Sequence, residues 1–138
     1  MATLPAPLRI EPFSIAISDE VLADLRERLR RTRWLVAAPG APWEQGTDLG
    51  YLQRLVADWA DSFDWRAQER ELNRFHHFRT EIDGVTIHFV HQRAERGKGL
   101  PLILSHGWPS AFLEALPAVA MLTDPAAHDI DGPAFDLV

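Results

Sequence analysis

The sequence predicts an α/β fold, with a helical N-terminal segment followed by the first strands of a sheet that this chain does not finish. Three observations carry the prediction. Between residues 19 and 75, apolar residues recur at three- and four-residue spacing. From Phe78 onward the period becomes two, around Asp83-Gly84. Leu102-Ile103-Leu104 is then apolar without alternation, as in a strand covered on both faces. It runs into the corner His106-Gly107-Trp108-Pro109, ahead of a second apolar-periodic segment.

The elements follow in order. Residues 1–17 are Pro-rich and read as extended, with Phe13, Ile15 and Ile17 alternating. Ser18 is a natural N-cap, and Asp19 and Glu20 suit the positive end of a helix dipole. Val21, Leu22, Leu25 and Leu29 form its apolar stripe, and Arg28, Arg30 and Arg31 suit its C-terminal end. Residues 37–46 contain two prolines and two glycines, which predicts a loop with Trp43 tucked into it. A second helix begins near Thr47 or Asp48 and carries Tyr51, Leu52, Leu55, Val56, Trp59 and Phe63. A third starts at Asp64, with Trp65, Leu72 and Phe75 on its inner side.

Phe78, Thr80 and Ile82 alternate with polar residues, as do Val85, Ile87 and Phe89. Asp83-Gly84 between them supplies the two positive φ angles of a type I′ turn. A polar loop covers 92–99, and a buried strand covers 102–104. Pro109 or Ser110 starts the next helix, with Phe112, Leu113, Leu116 and Val119 inward, and Pro117 kinks or splits it. Residues 124–133 read as a loop, and 135–138 as the opening of another buried strand. A buried parallel strand needs neighbours on both sides. Half a sheet therefore implies further sequence or a partner chain.

Composition narrows the function classes. With 138 residues, 46% of them hydrophobic, the chain can bury one ordinary core. The absence of cysteine excludes disulfides, thiolate metal sites and a cysteine nucleophile. A net charge of −6 argues against a nucleic-acid partner. The cationic run from Arg26 to Arg33 is interleaved with leucine at helical spacing, and a solvated helix face explains it. No signal-like or membrane-spanning run is present, so a cytoplasmic location without a membrane anchor is the expectation.

The corner His106-Gly107-Trp108-Pro109 resembles the oxyanion loop of α/β-hydrolases, and its Trp form resembles epoxide hydrolases of the microsomal type. The likeness runs in order along the chain from about Pro12 to Val138. It includes Thr32-Arg33-Trp34, Trp43-Glu44 with Gly46, Asp64-Trp65-Arg66-Ala67-Gln68-Glu69, Leu72-Asn73-Arg74-Phe75, Phe78 with Thr80-Glu81-Ile82-Asp83-Gly84, and Ile87-His88-Phe89-Val90-His91. The resemblance implies an N-terminal helical segment over 1–76 and the start of an α/β-hydrolase domain over 77–138.

It also implies a chemistry. In this family an Asp carboxylate attacks an epoxide carbon to form an ester, and lid tyrosines protonate the opening ring oxygen. A His oriented by an acidic residue then activates the water that cleaves the ester. The backbone N–H of Trp108 would bind the oxyanion of that second step, with His106, Gly107 and Pro109 supporting the loop. The Trp108–Pro109 bond is cis in the family pattern. The nucleophile, the His, its acid and the lid tyrosines fall at positions beyond residue 138. The implied partners are a small-molecule epoxide and the remainder of the hydrolase domain, and association as a homo-oligomer stays open. No cofactor and no metal are implied. In two places the chain departs from the pattern. His76 stands where Pro is common, which would loosen the chain leading into the hairpin, and Ser110 follows Pro109 where Gly is common.

Other features have simpler explanations. His88 and His91 are three apart on a predicted strand and point to opposite faces, and His76 and His77 diverge likewise. His128, Asp129 and Asp131 read as a solvated turn, and Gly97-Lys98-Gly99 as a flexible loop. Tyr51 reads as a core or rim residue. Asp61 and Asp64 read as helix caps, and His106 as a structural ring bound to backbone. Trp34, Trp43, Trp59 and Trp65 read as an interface with sequence outside this chain. Without a Gly-Xaa-Ser-Xaa-Gly elbow, Ser105 and Ser110 are poor nucleophiles. Two further readings remain, a non-catalytic binding module and a related hydrolase acting on esters or haloalkanes. The residue at the nucleophile corner separates them.

Overall fold

A computed structural model describes residues 9–37 and 39–138. Residues 1–8 of the expected extended start, and position 38 of the expected loop, lie outside the described residues. The described residues divide into two compact units, residues 16–69 and a sheet unit formed by residues 9–15 together with 70–138.

In the first unit, helix α1 (Asp19–Arg30) starts at its expected cap, where Ser18 Oγ accepts the Val21 N–H at 3.3 Å. Helix α2 (Leu49–Asp61) is capped by Asp48, whose carboxylate accepts the Tyr51 N–H at 2.8 Å. The two helices pack together, and Leu22 and Leu25 share a cleft with Trp59, Phe63 and Trp65. Val21 lies at the margin of the stripe and is exposed, as are Tyr51 and Leu55 of α2. Trp43 is not tucked in. It has φ 68° and is exposed, with its ring centroid 5.0 Å from that of Tyr51.

Charged groups tie this unit together. Arg30 pairs with Asp61 at 2.7 Å, so Asp61 ends α2 as an ion-pair partner and not as a cap. Arg28 pairs with Asp24 at 3.4 Å and Arg31 pairs with Glu27, which neutralises much of the cationic run. Glu69 accepts the Ile17 N–H at 2.7 Å and an Arg66 N–H at 2.7 Å, and Arg66 also donates to the Ile17 carbonyl. The Ile17 N–H is the main cause that holds the Glu69 carboxyl below its ordinary range. Arg66 and Trp65 add to it, and burial opposes them. Helix α3 (Trp65–Leu72) starts at Asp64, which accepts the Ala67 N–H at 2.9 Å.

The sheet unit opens with strand β1 (Glu11–Phe13), which pairs antiparallel with β2 (His77–Ile82). The expected alternation does not continue to Ile15 as strand. Asn73 captures that backbone instead, accepting the Ile15 N–H and donating to its carbonyl, both at 2.8 Å. Strand β3 (Val85–Val90) completes the order β1-β2-β3. The turn is the expected one, with Asp83 at φ 51° and Gly84 at φ 79°. Pairing of Phe78 with Phe89 and of Ile82 with Val85 collects the apolar residues on one face, as alternation predicts. That face is open toward its turn end, however, with Ile82, Val85 and Ile87 exposed.

Strands β4 (Leu100–Leu102) and β5 (Phe135–Leu137) pair in parallel. β4 begins two residues before the expected strand. Its ladder continues past it, with the Leu104 N–H donating to the Val138 carbonyl at 2.8 Å. Gln92 joins the two sheets by exchanging hydrogen bonds of 2.9 and 2.7 Å with Leu137. Gly99 is more than a flexible link, because a Cβ there would stand 2.5 Å from the Asp136 backbone nitrogen.

The helix expected from Pro109 or Ser110 is split. A 3-10 turn over Phe112–Glu114 precedes α4 (Leu116–Thr123), which carries Pro117 in its first turn where no N–H partner is lost. Leu113 is exposed, whereas Val119 and Leu137 form the small core. A further 3-10 turn, Pro125–His128, lies inside the expected 124–133 loop. Among the described residues, no helix is long and apolar enough to cross a membrane.

Candidate active-site loop

The loop 103–111 leaves the carboxyl end of β4, the edge at which open α/β sheets place their ligands. Its side chains are largely exposed, Ile103 at 77% and Trp108 at 95%. The Trp108–Pro109 bond is cis. A turn closes the corner, with the Ser110 N–H donating to the Gly107 carbonyl at 2.8 Å. The N–H groups of Ser105, His106, Gly107 and Trp108 have no protein acceptor among the described residues, so the corner presents a short run of available donors.

The His106 ring does not hold the loop by a short bond. It is exposed, and its hydrogen-bond contact is a long 3.4 Å to the Gly107 carbonyl. The anchor lies further on. The Phe112 ring stands edge-on to two histidines of the hairpin, with centroids 5.8 Å from His77 and 5.1 Å from His88. Behind it, α4 contacts β5, and Thr123 donates to the Val119 carbonyl at 3.0 Å.

His77 and His88 form a pair that the sequence reading missed. His77 is 3% exposed. Its Nε2 lies 2.8 Å from the Leu72 carbonyl oxygen, and its Nδ1 lies 3.0 Å from His88 Nε2. The signal was present: the Asp83-Gly84 turn sets Arg79 opposite His88, which makes His77 a diagonal neighbour on the same face. Burial holds the His88 imidazole below its ordinary value, and His77 and Arg79 add to the effect.

His76 does not loosen the chain before the hairpin. Its N–H donates to Gln92 Oε1 at 2.8 Å and its carbonyl accepts from the His91 N–H at 2.9 Å. A proline could not make the first of these bonds. His128, Asp129 and Asp131 are exposed, and the described residues gather no cluster of three or more metal-ligating groups.

Comparison with known proteins gives a consistent result. The family described as "Epoxide hydrolase N terminus" matches residues 10–115. A protein of Stigmatella aurantiaca is 45% identical over 119 residues, covering 86% of this chain and 27% of its own length. "Epoxide hydrolase 1" of Sus scrofa is 34% identical over 134 residues, covering 94% of this chain and 30% of its own. The solved structure of Aspergillus niger epoxide hydrolase superposes with a TM-score of 0.74 at 33% identity, over 94% of this chain and 34% of that one. The chain thus spans between a quarter and just over a third of the length of these matches.

Proposed function

The chain belongs to the family of epoxide hydrolase N-terminal regions, and from that premise we propose that it contributes the oxyanion-binding loop to the opening of small-molecule epoxides into vicinal diols. In this reading residues 1–76 form the N-terminal segment and 77–138 begin the hydrolase domain. An Asp from the rest of that domain attacks the epoxide and forms an ester. The Trp108 N–H then stabilises the oxyanion that appears as water cleaves this ester, while Gly107, Pro109 and His106 shape the corner.

The observation that carries the reading is the Trp108 N–H, which has no acceptor among the described residues and sits beyond the carboxyl end of β4. Such a donor costs no reorganisation when charge develops. Replacing the Trp108 amide by an ester, in a polypeptide joining these residues to the rest of the domain, should lower kcat by about 10²–10³-fold, equivalent to about 2.7–4 kcal/mol. An unchanged kcat would refute the role. The 138 residues alone carry no Asp at a strand-to-helix elbow and only one tyrosine, Tyr51 on α2. Incubated with an aryl epoxide, they should form no diol above the buffer rate.

A further inference from the structure

We propose that His77 and His88 are positioning residues for the Trp108 loop, sharing no more than one proton and seating Phe112 only while the hydrogen bond between their rings is made. The catalytic meaning rests on the reading of Trp108 above; the proton logic does not.

The Leu72 carbonyl can only accept, so His77 Nε2 must carry a hydrogen. In neutral His77 the Nδ1 is then a bare acceptor, and His88 Nε2 must donate to it across 3.0 Å. One added proton is accommodated. It enters at His88 Nδ1, and the Nε2–H of that ring still donates to His77 Nδ1. A second proton sets N–H against N–H, and the bond breaks.

Phe112 reads the state of this bond because its ring packs steeply inclined against both imidazoles, and it stands four residues after Trp108. Phe13 also packs on His88, with centroids 5.4 Å apart. Arg79 and Glu81 of β2 and Glu11 of β1 lie on the same face of the sheet. The Arg79 guanidinium stacks on Phe13 at 3.6 Å, and Glu11 pairs with Arg9. The Phe112 turn brings only the exposed Glu114, and the end of α3 brings Glu71, paired with Arg74. Arg79, beside the rings, therefore opposes a second proton. His88 is already held below its ordinary value, by burial first. At His88 the folded form thus binds fewer protons than the unfolded one, so the stability this ring contributes is present above the ordinary imidazole value, about 6.5, and is lost as pH falls below it.

Nitrogen NMR of the imidazoles in the 138-residue chain tests this. At neutral pH both rings should be Nε2–H tautomers, with scalar coupling between His77 Nδ1 and His88 Nε2. Acidification should abolish the coupling and shift the Phe112 ring resonances in the same step. His88→Gln, which can still donate to His77 Nδ1 but cannot titrate, should keep the Phe112 shifts and lose the acid step. His88→Phe should displace the Phe112 shifts at every pH. Mixed tautomers without coupling in the wild type, or Phe112 shifts indifferent to acid, would overturn the proposal; so would an acid step that survives in His88→Gln. If His88→Phe does not fold, the wild type and His88→Gln still decide. No measurement here involves the Trp108 N–H or an epoxide, so failure of the loop reading would show separately, in kcat.

Discussion

The two faces of the β2–β3 hairpin are built from opposite materials. One carries Phe78, Thr80, Ile82, Val85, Ile87 and Phe89, the residues whose alternation marks a strand. The other carries His77, Arg79, Glu81, Thr86 and His88, with Val90 its one apolar member, and it is on this face that Phe13 and Phe112 pack against the imidazoles. Hydrophobicity predicts which residues share a face. It does not predict which face the neighbouring elements of this chain reach. The aromatic and imidazole rings on the covered face satisfy one another's edges and nitrogens, whereas much of the apolar face is left open.

Three substitutions would break or sharpen this contrast. The largest effect is expected from His77→Ala, which removes a buried ring together with its bonds to Leu72 and His88. It should lower the local opening free energy of hairpin amides by about 2–4 kcal/mol, read by hydrogen exchange. On the other face, Thr80→Val tests a defect. Thr80 Oγ1 is buried without a partner, so the substitution should leave stability unchanged or raise it by about 0.5–1 kcal/mol in the same exchange measurement. The smallest effect belongs to Val85→Thr, at a side chain 58% exposed. A change within about 0.5 kcal/mol in that assay is expected, and a larger loss would mean that the open face is covered.

Much of the fold was legible in the sequence because local chemistry decided it. Ser18, Asp48 and Asp64 cap helices where their side chains can reach a free N–H, and Asp83-Gly84 turns the hairpin. Pro117 splits the segment it interrupts. What escaped depends on partners distant in sequence. Nothing near Ile15 announces Asn73, and nothing near His76 announces Gln92. Of the candidate site, the corner at 106–109 was legible from its motif. Its anchor was not, because reading His77 and His88 as a pair requires the hairpin register to be carried across the turn.

Gln92 and Gly99 together have a consequence for how this chain can vary. Gln92 is pinned to Leu137 by two backbone bonds, and Gly99 lies flush against Asp136. The stretch between them is thus a tether whose ends are both fixed on β5. Within it the Ala94 N–H also donates to Asp136 Oδ1 and the Glu95 N–H to the Thr123 carbonyl, so added or deleted residues fit at 96–98, where they change a surface turn and leave strand alignment on either side untouched. Homologous chains of unequal length should therefore differ first in this turn, with the corner at 106–109 keeping its place on the sheet edge.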